Sequence, residues 1–392
     1  MTSIQIIFWL ACLLTIFPYA IYPLILRSRR LTIGSPTLEQ IAEDELPTIT
    51  IIVSARNEET VIVDKINNAL SLDYPAEKLN LMVVSDASTD DTDKLVTEIA
   101  DTSPRVKLLA IAERRGKTAG LNRAMEQIDS DLVVFTDANA MFKPDALRYL
   151  VAPFSNSKVG YVVGAQKYTQ ADGQSAGDNE GLYWRFELSL KAAESDFYSV
   201  VGGDGAIYAI RRELFTPLAD EDINDFVNPL QIILKGYRGV FSSQAIAFED
   251  PANSFDKEFN RKRRIVCRSW GALVRYGFNR QLFALPKFTF MVFSHKVLRW
   301  FCMVWISIAV LLNLILLISK PSLLYVLTAV AIYGSIALAM VGQRLSRNRD
   351  DVSSVYAIPY YFYMANIAAF LGVLDYTRGN RYVVWDHVRT TG

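Results

Sequence analysis

Short apolar runs and amphipathic stretches alternate through much of this chain. Runs at 49–55, 80–85, 105–111 and 131–136 are rich in Val, Ile and Leu and have the length of buried strands. Helical periodicity follows each of them, at 58–71, 90–100, 117–128 and 144–150, with Pro144 suited to a first helical position. The alternation predicts right-handed βαβ units and an α/β fold built on a mostly parallel sheet.

A second pattern consists of longer apolar runs. Residues 4–26 carry no charge, are long enough to span a bilayer, and run directly into Arg27, Arg29 and Arg30. A cleavable signal peptide has the opposite charge order. The basic flank orients Met1 outside and Arg30 in the cytoplasm. Runs at 300–318 and 323–341, joined by Ser319-Lys320-Pro321-Ser322, are two further spans. A fourth, 355–374, contains Pro359. Four full spans return the C-terminus outside, whereas Arg378, Arg381 and Arg389 draw it to the cytoplasm, so 355–374 is expected either to cross or to re-enter. Between 253 and 296, Phe259, Trp270 and Phe278 interleave with Arg261, Arg264, Arg268 and Arg275. That pattern suits helices lying in a membrane interface, or a basic solvated bundle. The expected organisation is an anchor (1–30), a linker (31–46), an α/β catalytic domain (47–252), interfacial helices (253–296), transmembrane helices (297–376) and a basic tail (377–392).

Composition narrows the chemistry. With 41 basic and 41 acidic residues the formal charge is zero, which does not indicate nucleic acid as a partner. Three scattered cysteines form neither a disulfide framework nor a zinc pattern, and two histidines make a His-rich metal site implausible. A metal here would be Mg²⁺ or Mn²⁺ on oxygen ligands.

The chemistry-bearing residues gather at strand ends. The first strand runs into Arg56-Asn57-Glu58-Glu59, the second into Asp86, and the fourth into Asp137-Ala138-Asn139. Ligands of open α/β sheets bind there. Asp86 can accept from a ribose hydroxyl or a base N–H, or coordinate a metal. Asp137 and Asn139, two apart in extended backbone, can face one way as metal ligands or simply make a turn. Lys117 follows Arg114-Arg115-Gly116 at a helix start, a weak phosphate signal without P-loop spacing. Gly202-Gly203-Asp204-Gly205 permits a tight turn or a close ligand. Of the acids at 220, 221, 222 and 225, one could be a general base, and composition does not choose which.

Taken in order, 47-PTITIIVSARNEE-59, 82-MVVSDASTDDT-92, 116-GKTAGLNRA-124, 135-FTDANA-140, 203-GDGAIYAIRREL-214 and 223-INDFVNPLQIILKGYR-238 resemble family 2 glycosyltransferases of GT-A fold, of the membrane-integrated polysaccharide-synthase type. The resemblance covers about 47–270. It implies inverting transfer from a nucleotide-diphosphate sugar, usually UDP-linked, with Mg²⁺ or Mn²⁺. By position, Ser54, Arg56 and Glu58 would line the nucleoside pocket and Asp86 would meet base or ribose. Lys117 would approach the diphosphate or brace the acidic cluster, and Arg264 would meet the diphosphate. Asp137 and Asn139 stand at the DxD position, and Asp225 at the Asp of the TED motif, as catalytic base. Gly203 and Asp204 would build the acceptor pocket. DxD is DxN here, TED is IND, and QxxRW keeps only Arg264, so processive synthesis is not implied.

The expected protein is an integral enzyme of an inner or plasma membrane with its catalytic domain facing the cytoplasm. It would take a nucleotide-sugar donor and extend a glycan, with membrane lipids around it and export or polymerase subunits as candidate partners. Single transfer to a polyprenyl phosphate or glycolipid is the alternative. A non-catalytic sugar-nucleotide-binding subunit is the reading from another class.

Overall fold

The computed structural model describes residues 2–28, 43–168, 175–250, 255–347 and 352–384, with side chains in the third stretch from 184 onward. Most of the expected linker and the end of the basic tail, Arg389 included, lie outside the described residues.

Among the described residues, eight strands form one mixed sheet: β1 (Ile49–Ala55), β2 (Leu79–Asp86), β3 (Val106–Ile111), β4 (Leu132–Asp137), β5 (Met141–Phe142), β6 (Val159–Tyr168), β7 (Tyr208–Arg211) and β8 (Arg238–Glu249). Their order is β3-β2-β1-β4-β7-β6-β8-β5. The expected strands make a continuous parallel half, β3-β2-β1-β4. Beyond it β7 runs antiparallel to both β4 and β6, while β6 and β8 are parallel. The register sets Ser54 of β1 beside Asp137 of β4.

The helices are α1 (Ser3–Ile16), α2 (Tyr22–Ser28), α3 (Ile62–Leu70), α4 (Thr92–Ala100), α5 (Lys117–Met125), α6 (Ala146–Val151), α7 (Ser175–Phe197), α8 (Asn224–Leu234), α9 (Phe255–Ala272), α10 (Arg280–Phe283), α11 (Pro286–Val292), α12 (Leu298–Trp300), α13 (Cys302–Ser319), α14 (Leu323–Ser346) and α15 (Ser354–Thr377). The expected helix at 58–71 starts later, because its first residues are laced to the next loop. Thr89 N donates to Asn57 Oδ1 at 2.8 Å, Glu59 N to Asp90 Oδ2 at 3.1 Å and Asp91 N to Glu59 Oε2 at 3.0 Å. Pro144 likewise sits ahead of α6 rather than inside it.

Alternate residues of β1 face opposite sides. Ile49, Ile51 and Val53 pack with Ile62 and Ile66 of α3 and Val96 of α4. Ile52 joins Leu121 of α5, Phe135, and Phe226 and Leu230 of α8. This second core continues without interruption through Tyr22 and Leu26, Val266 and Leu273, Phe288, Trp300 and Val373. The anchor and the C-terminal helices therefore share a core with the catalytic half.

Among the described residues, four helical segments are long and apolar enough to cross a membrane: 3–28, 302–319, 323–346 and 354–377. The last is one continuous helix despite Pro359. Along it α9 packs closely. Arg263 of α9 donates from Nε and Nη2 to Asp375 Oδ2 and Oδ1 at 2.5 and 2.6 Å, and the Tyr382 hydroxyl donates to the same carboxylate at 2.8 Å. Asp375 is 1% exposed. Removing one partner of a buried pair leaves the other charge uncompensated. Arg263 is itself 32% exposed, so Arg263→Met is expected to destabilise by about 1–2 kcal/mol. A clear fall in the unfolding midpoint of the purified protein in detergent is the check, and an unchanged midpoint contradicts it.

Candidate active site

A cleft of about 850 Å³ opens at the carboxyl ends of the parallel strands. Ser54, Arg56, Glu58, Asp86, Lys117, Asp137, Asn139, Gly203, Asp204, Asp225 and Arg264 all line it. The residues singled out from sequence thus come together in one place, but several do work that the sequence did not suggest.

Asp86 ends β2 and is buried. Its Oδ1 accepts from the Arg115 N–H and its Oδ2 from the Gly116 N–H, both at 2.9 Å. Arg56 Nη1 donates to the Asp86 carbonyl at 3.1 Å. The carboxylate therefore grips the loop that leads into α5. Gly116 stands at φ +88°, a conformation that costs other residues and suits glycine. Lys117 then opens α5 and its ammonium meets the Asp137 carboxylate.

Asp137 and Asn139 flank a turn supported from beneath by Lys65 of α3, which the sequence reading missed. Lys65 is wholly buried. Its ammonium donates to Thr136 Oγ1 at 3.1 Å and to the Ala140 carbonyl, and stands 4.0 Å from the centre of the Phe142 ring. Burial pulls its pKa down to about 7, against the upward pull of Asp137 and Glu249. The signal was available: Lys65 falls on the same helical face as the buried Ile62, Ile66 and Ala69.

Asp225 lies in the first turn of α8. Burial pushes its carboxyl above the ordinary range, Lys117 pulls it back, and Asp204 and Asp137 push it further. A Cβ added at Gly205 would stand 3.2 Å from Asp137 Oδ2 and 3.7 Å from Asp225 Oδ2. Glycine here leaves a space that both carboxylates border. Asn224, the departure from TED, donates from Nδ2 to the Tyr208 hydroxyl at 2.7 Å, as Asn228 does at 3.0 Å. Asn224 thus serves the core under the site.

Gly203 and Asp204 are drawn inward. The Gly203 N–H donates to the Asp225 carbonyl, and Asp204 pairs with Lys191 of α7 at 2.7 Å. Asp222 is wholly buried and accepts from Arg275 at 2.5 Å and the Tyr276 hydroxyl at 2.9 Å. That leaves Asp225 as the member of its acidic group aligned with Asp137. On the facing wall α9 supplies Arg264 and Arg268, whose pKa values are both lowered to about 10, chiefly by burial. Both stay charged at neutral pH, and Arg268 is fixed by Nη2 donating to Thr118 Oγ1 at 3.0 Å and Nε to the Glu221 carbonyl at 3.1 Å.

Among the described residues no group of three or more His, Cys, Asp and Glu side chains could enclose a metal. The oxygen donors of Asp137 and Asn139, beside the space at Gly205, suit a hard divalent ion that completes its shell with phosphate and water.

Residues 50–217 match the family model for glycosyl transferase family 2. Over 122 residues the chain is 31% identical to a beta-monoglucosyldiacylglycerol synthase of Nostoc sp. and 33% identical to a poly-beta-1,6-N-acetyl-D-glucosamine synthase of Staphylococcus aureus. Those stretches are 31% of this chain and 26% and 29% of the relatives. A probable glycosyltransferase of Bacillus subtilis, YdaM, is 24% identical over 56% of this chain and 54% of its own. The chain thus spans about half or less of the curated relatives it matches. The fold is similar to that of a mannosyltransferase from Pyrobaculum calidifontis solved with GDP-Man and Mn²⁺, with a TM-score of 0.70 and 22% identity over 95% of this chain and 99% of that one. The sheet and its flanking helices have the GT-A fold.

Lys65→Met leaves the Ala140 carbonyl unpaired beneath the Asp137–Asn139 turn, at a cost of about 1–3 kcal/mol. Donor turnover by this variant is expected to fall at least tenfold, with Lys65→Arg no substitute because the buried space is closed. A variant that keeps wild-type turnover contradicts the role of Lys65 as support for the turn.

Proposed function

We propose that this family 2 glycosyltransferase moves one sugar from a nucleoside-diphosphate donor to a hydroxyl presented at the membrane side of the cleft. One observation carries the reading: Lys117, Asp137 and Asp225 converge around the space at Gly205, at the ends of the parallel strands.

Ser54, Arg56, Glu58 and Asp86 form the nucleoside end of the cleft. The diphosphate lies between Lys117 and Arg264, whose fixed charges stabilise it as it leaves. Mg²⁺ or Mn²⁺, held by Asp137 and Asn139, would add positive charge at the same place. A Mn²⁺ in the mannosyltransferase of similar fold supports that assignment, and its GDP-Man is a reason to test GDP-sugars as well as the UDP-sugars that the resemblance favours.

Asp225 accepts the proton of the acceptor hydroxyl. The freed oxygen attacks the anomeric carbon opposite the diphosphate, a new C–O bond forms, and the bond to phosphate breaks with its electron pair leaving on the diphosphate. A single displacement of this kind inverts the anomeric centre. Burial of Asp225 raises its basicity toward working pH, as a general base requires. Gly203 fixes the first turn of α8 through its bond to the Asp225 carbonyl, and Asp204 with Lys191 holds that loop.

The four apolar helices support an integral membrane enzyme, and Arg27 at the end of the first supports a catalytic half in the cytoplasm. One observation favours single transfer to a membrane-borne hydroxyl over extension of a free glycan. Tyr19, from the first spanning segment, and Tyr361 and Phe362, from the last, line the same cleft as Asp225.

Asp225 must be ionised to act. The transfer rate is therefore expected to fall as pH drops through a midpoint above the ordinary aspartate value of about 3.9. Asp225→Asn is expected to lose about 10²–10⁴-fold in rate. A screen of UDP- and GDP-sugars, reading released nucleotide with EDTA and with added Mn²⁺, provides the assay. Near-normal transfer by Asp225→Asn would remove the base assignment, and full activity in EDTA would remove the metal.

A further inference from the structure

At the membrane end of the cleft stands a group of charges that donor chemistry does not use. Glu187 and Glu194 of α7 face His295, Lys296 and Arg299, which lie on and just after the π-helical turn Phe293–Val297. The carboxylates are already taken. Glu194 Oε1 meets His295 Nδ1 and accepts from the Tyr22 hydroxyl, both at 2.7 Å, while its Oε2 accepts from the Val201 N–H at 3.1 Å. Glu187 pairs with Arg299 at 2.6 Å and with His295 Nε2 at 3.3 Å. Arg299 also lies over the Tyr19 ring, 5.3 Å from its centre.

Lys296 is left over. It lines the cleft half-buried, and among the described residues it makes no hydrogen bond or ion pair. A partly desolvated ammonium without a hydrogen-bonded anion is unfavourable. It is near enough to Asp225 for its charge to favour the ionised form of that carboxyl. Burial pushes the Lys296 pKa down, and Glu187 and Glu194 push it back up.

The cleft is therefore lined by a base at Asp225, by an ammonium at Lys296 that has no hydrogen-bonded or ion-paired partner among the described residues, and by aromatic side chains from the first and last apolar helices at Tyr19, Tyr361 and Phe362. We propose that the acceptor is a membrane lipid whose hydroxyl-bearing headgroup is joined to its hydrocarbon tail through phosphate, and that Lys296 binds that phosphate. The proposal rests on the glycosyl-transfer reading above and names its acceptor. The hydroxyl meets Asp225, the phosphate meets Lys296, and the tail leaves between the first and last spanning segments. A neutral glycolipid would fill the same path but leave the ammonium unanswered. A lipid monophosphate would bind Lys296 but, with a second pKa of about 6, would be largely ionised at neutral pH and would need no base at Asp225.

Calorimetry on the full-length protein in detergent, with UDP and Mn²⁺ present, tests this with three probes that share one sugar. They are farnesyl-diphosphate-linked N-acetylglucosamine, the neutral farnesyl glycoside of N-acetylglucosamine, and methyl-diphosphate-linked N-acetylglucosamine. The first is expected to bind at least tenfold tighter than either of the others. In Lys296→Gln its advantage over the neutral glycoside is expected to vanish, and in Lys296→Arg to persist. Equal binding of the charged and neutral farnesyl probes overturns the proposal, as does a preference that survives in Lys296→Gln. Equal binding of the methyl probe overturns the lipid part by assigning the affinity to phosphate alone. None of these outcomes touches the Asp225→Asn result, so failure of the acceptor assignment is distinct from failure of the transfer reading.

Discussion

The grip of the Asp86 carboxylate on two successive backbone amides is the contact on which the site depends. Its two oxygens each take one N–H, from Arg115 and Gly116, and so fix the entry into α5. The left-handed turn at Gly116 follows from that grip, and the start of α5 places Lys117 against Asp137. Asp137 is carried on β4, two strands from Asp86, with β1 between them. One buried carboxylate on the sheet thus sets the position of the cation on the loop, and that cation sets the electrostatics of the turn and of Asp225.

The rest of the cleft follows a rule of paired charge. Buried ionic groups are tolerated when geometry and hydrogen bonds answer them. Asp204 has Lys191, Asp222 has Arg275 and Tyr276, Glu187 has Arg299, and Glu194 has Tyr22 and His295. Glu258 is held down to about 2, burial opposing and Lys262 and Arg261 prevailing. Against this background the few departures mark where ligands would bring charge: the space at Gly205 between two carboxylates, and the ammonium of Lys296.

The long apolar helices share one core with the catalytic half. The Tyr22 hydroxyl, from the first spanning segment, donates to Glu194 inside the core, and Arg263 joins α9 to the end of the last helix through Asp375. The cleft wall formed by α9 is therefore held by a helix that is long and apolar enough to cross a membrane.

The sequence by itself determined the parallel half of the sheet, the apolar spans, and the residues at the strand ends, because period-two burial and strand-to-loop transitions are local properties. It also brought Asp86, Lys117, Asp137, Asn139, Asp225 and Arg264 to one cleft through the order of the motifs. What those residues do to one another was decided by the tertiary structure. Asp86 holds backbone, Asn224 serves Tyr208, and Asp204 is absorbed by Lys191, since each partner lies on another element. Lys65 left a local trace as a lysine on an apolar helix face. The cluster of Tyr22, Glu187, Glu194, His295 and Arg299 left none, because its members are drawn from segments up to 277 residues apart, from Tyr22 to Arg299, and become partners only when the sheet, α7 and the membrane helices close one core around them.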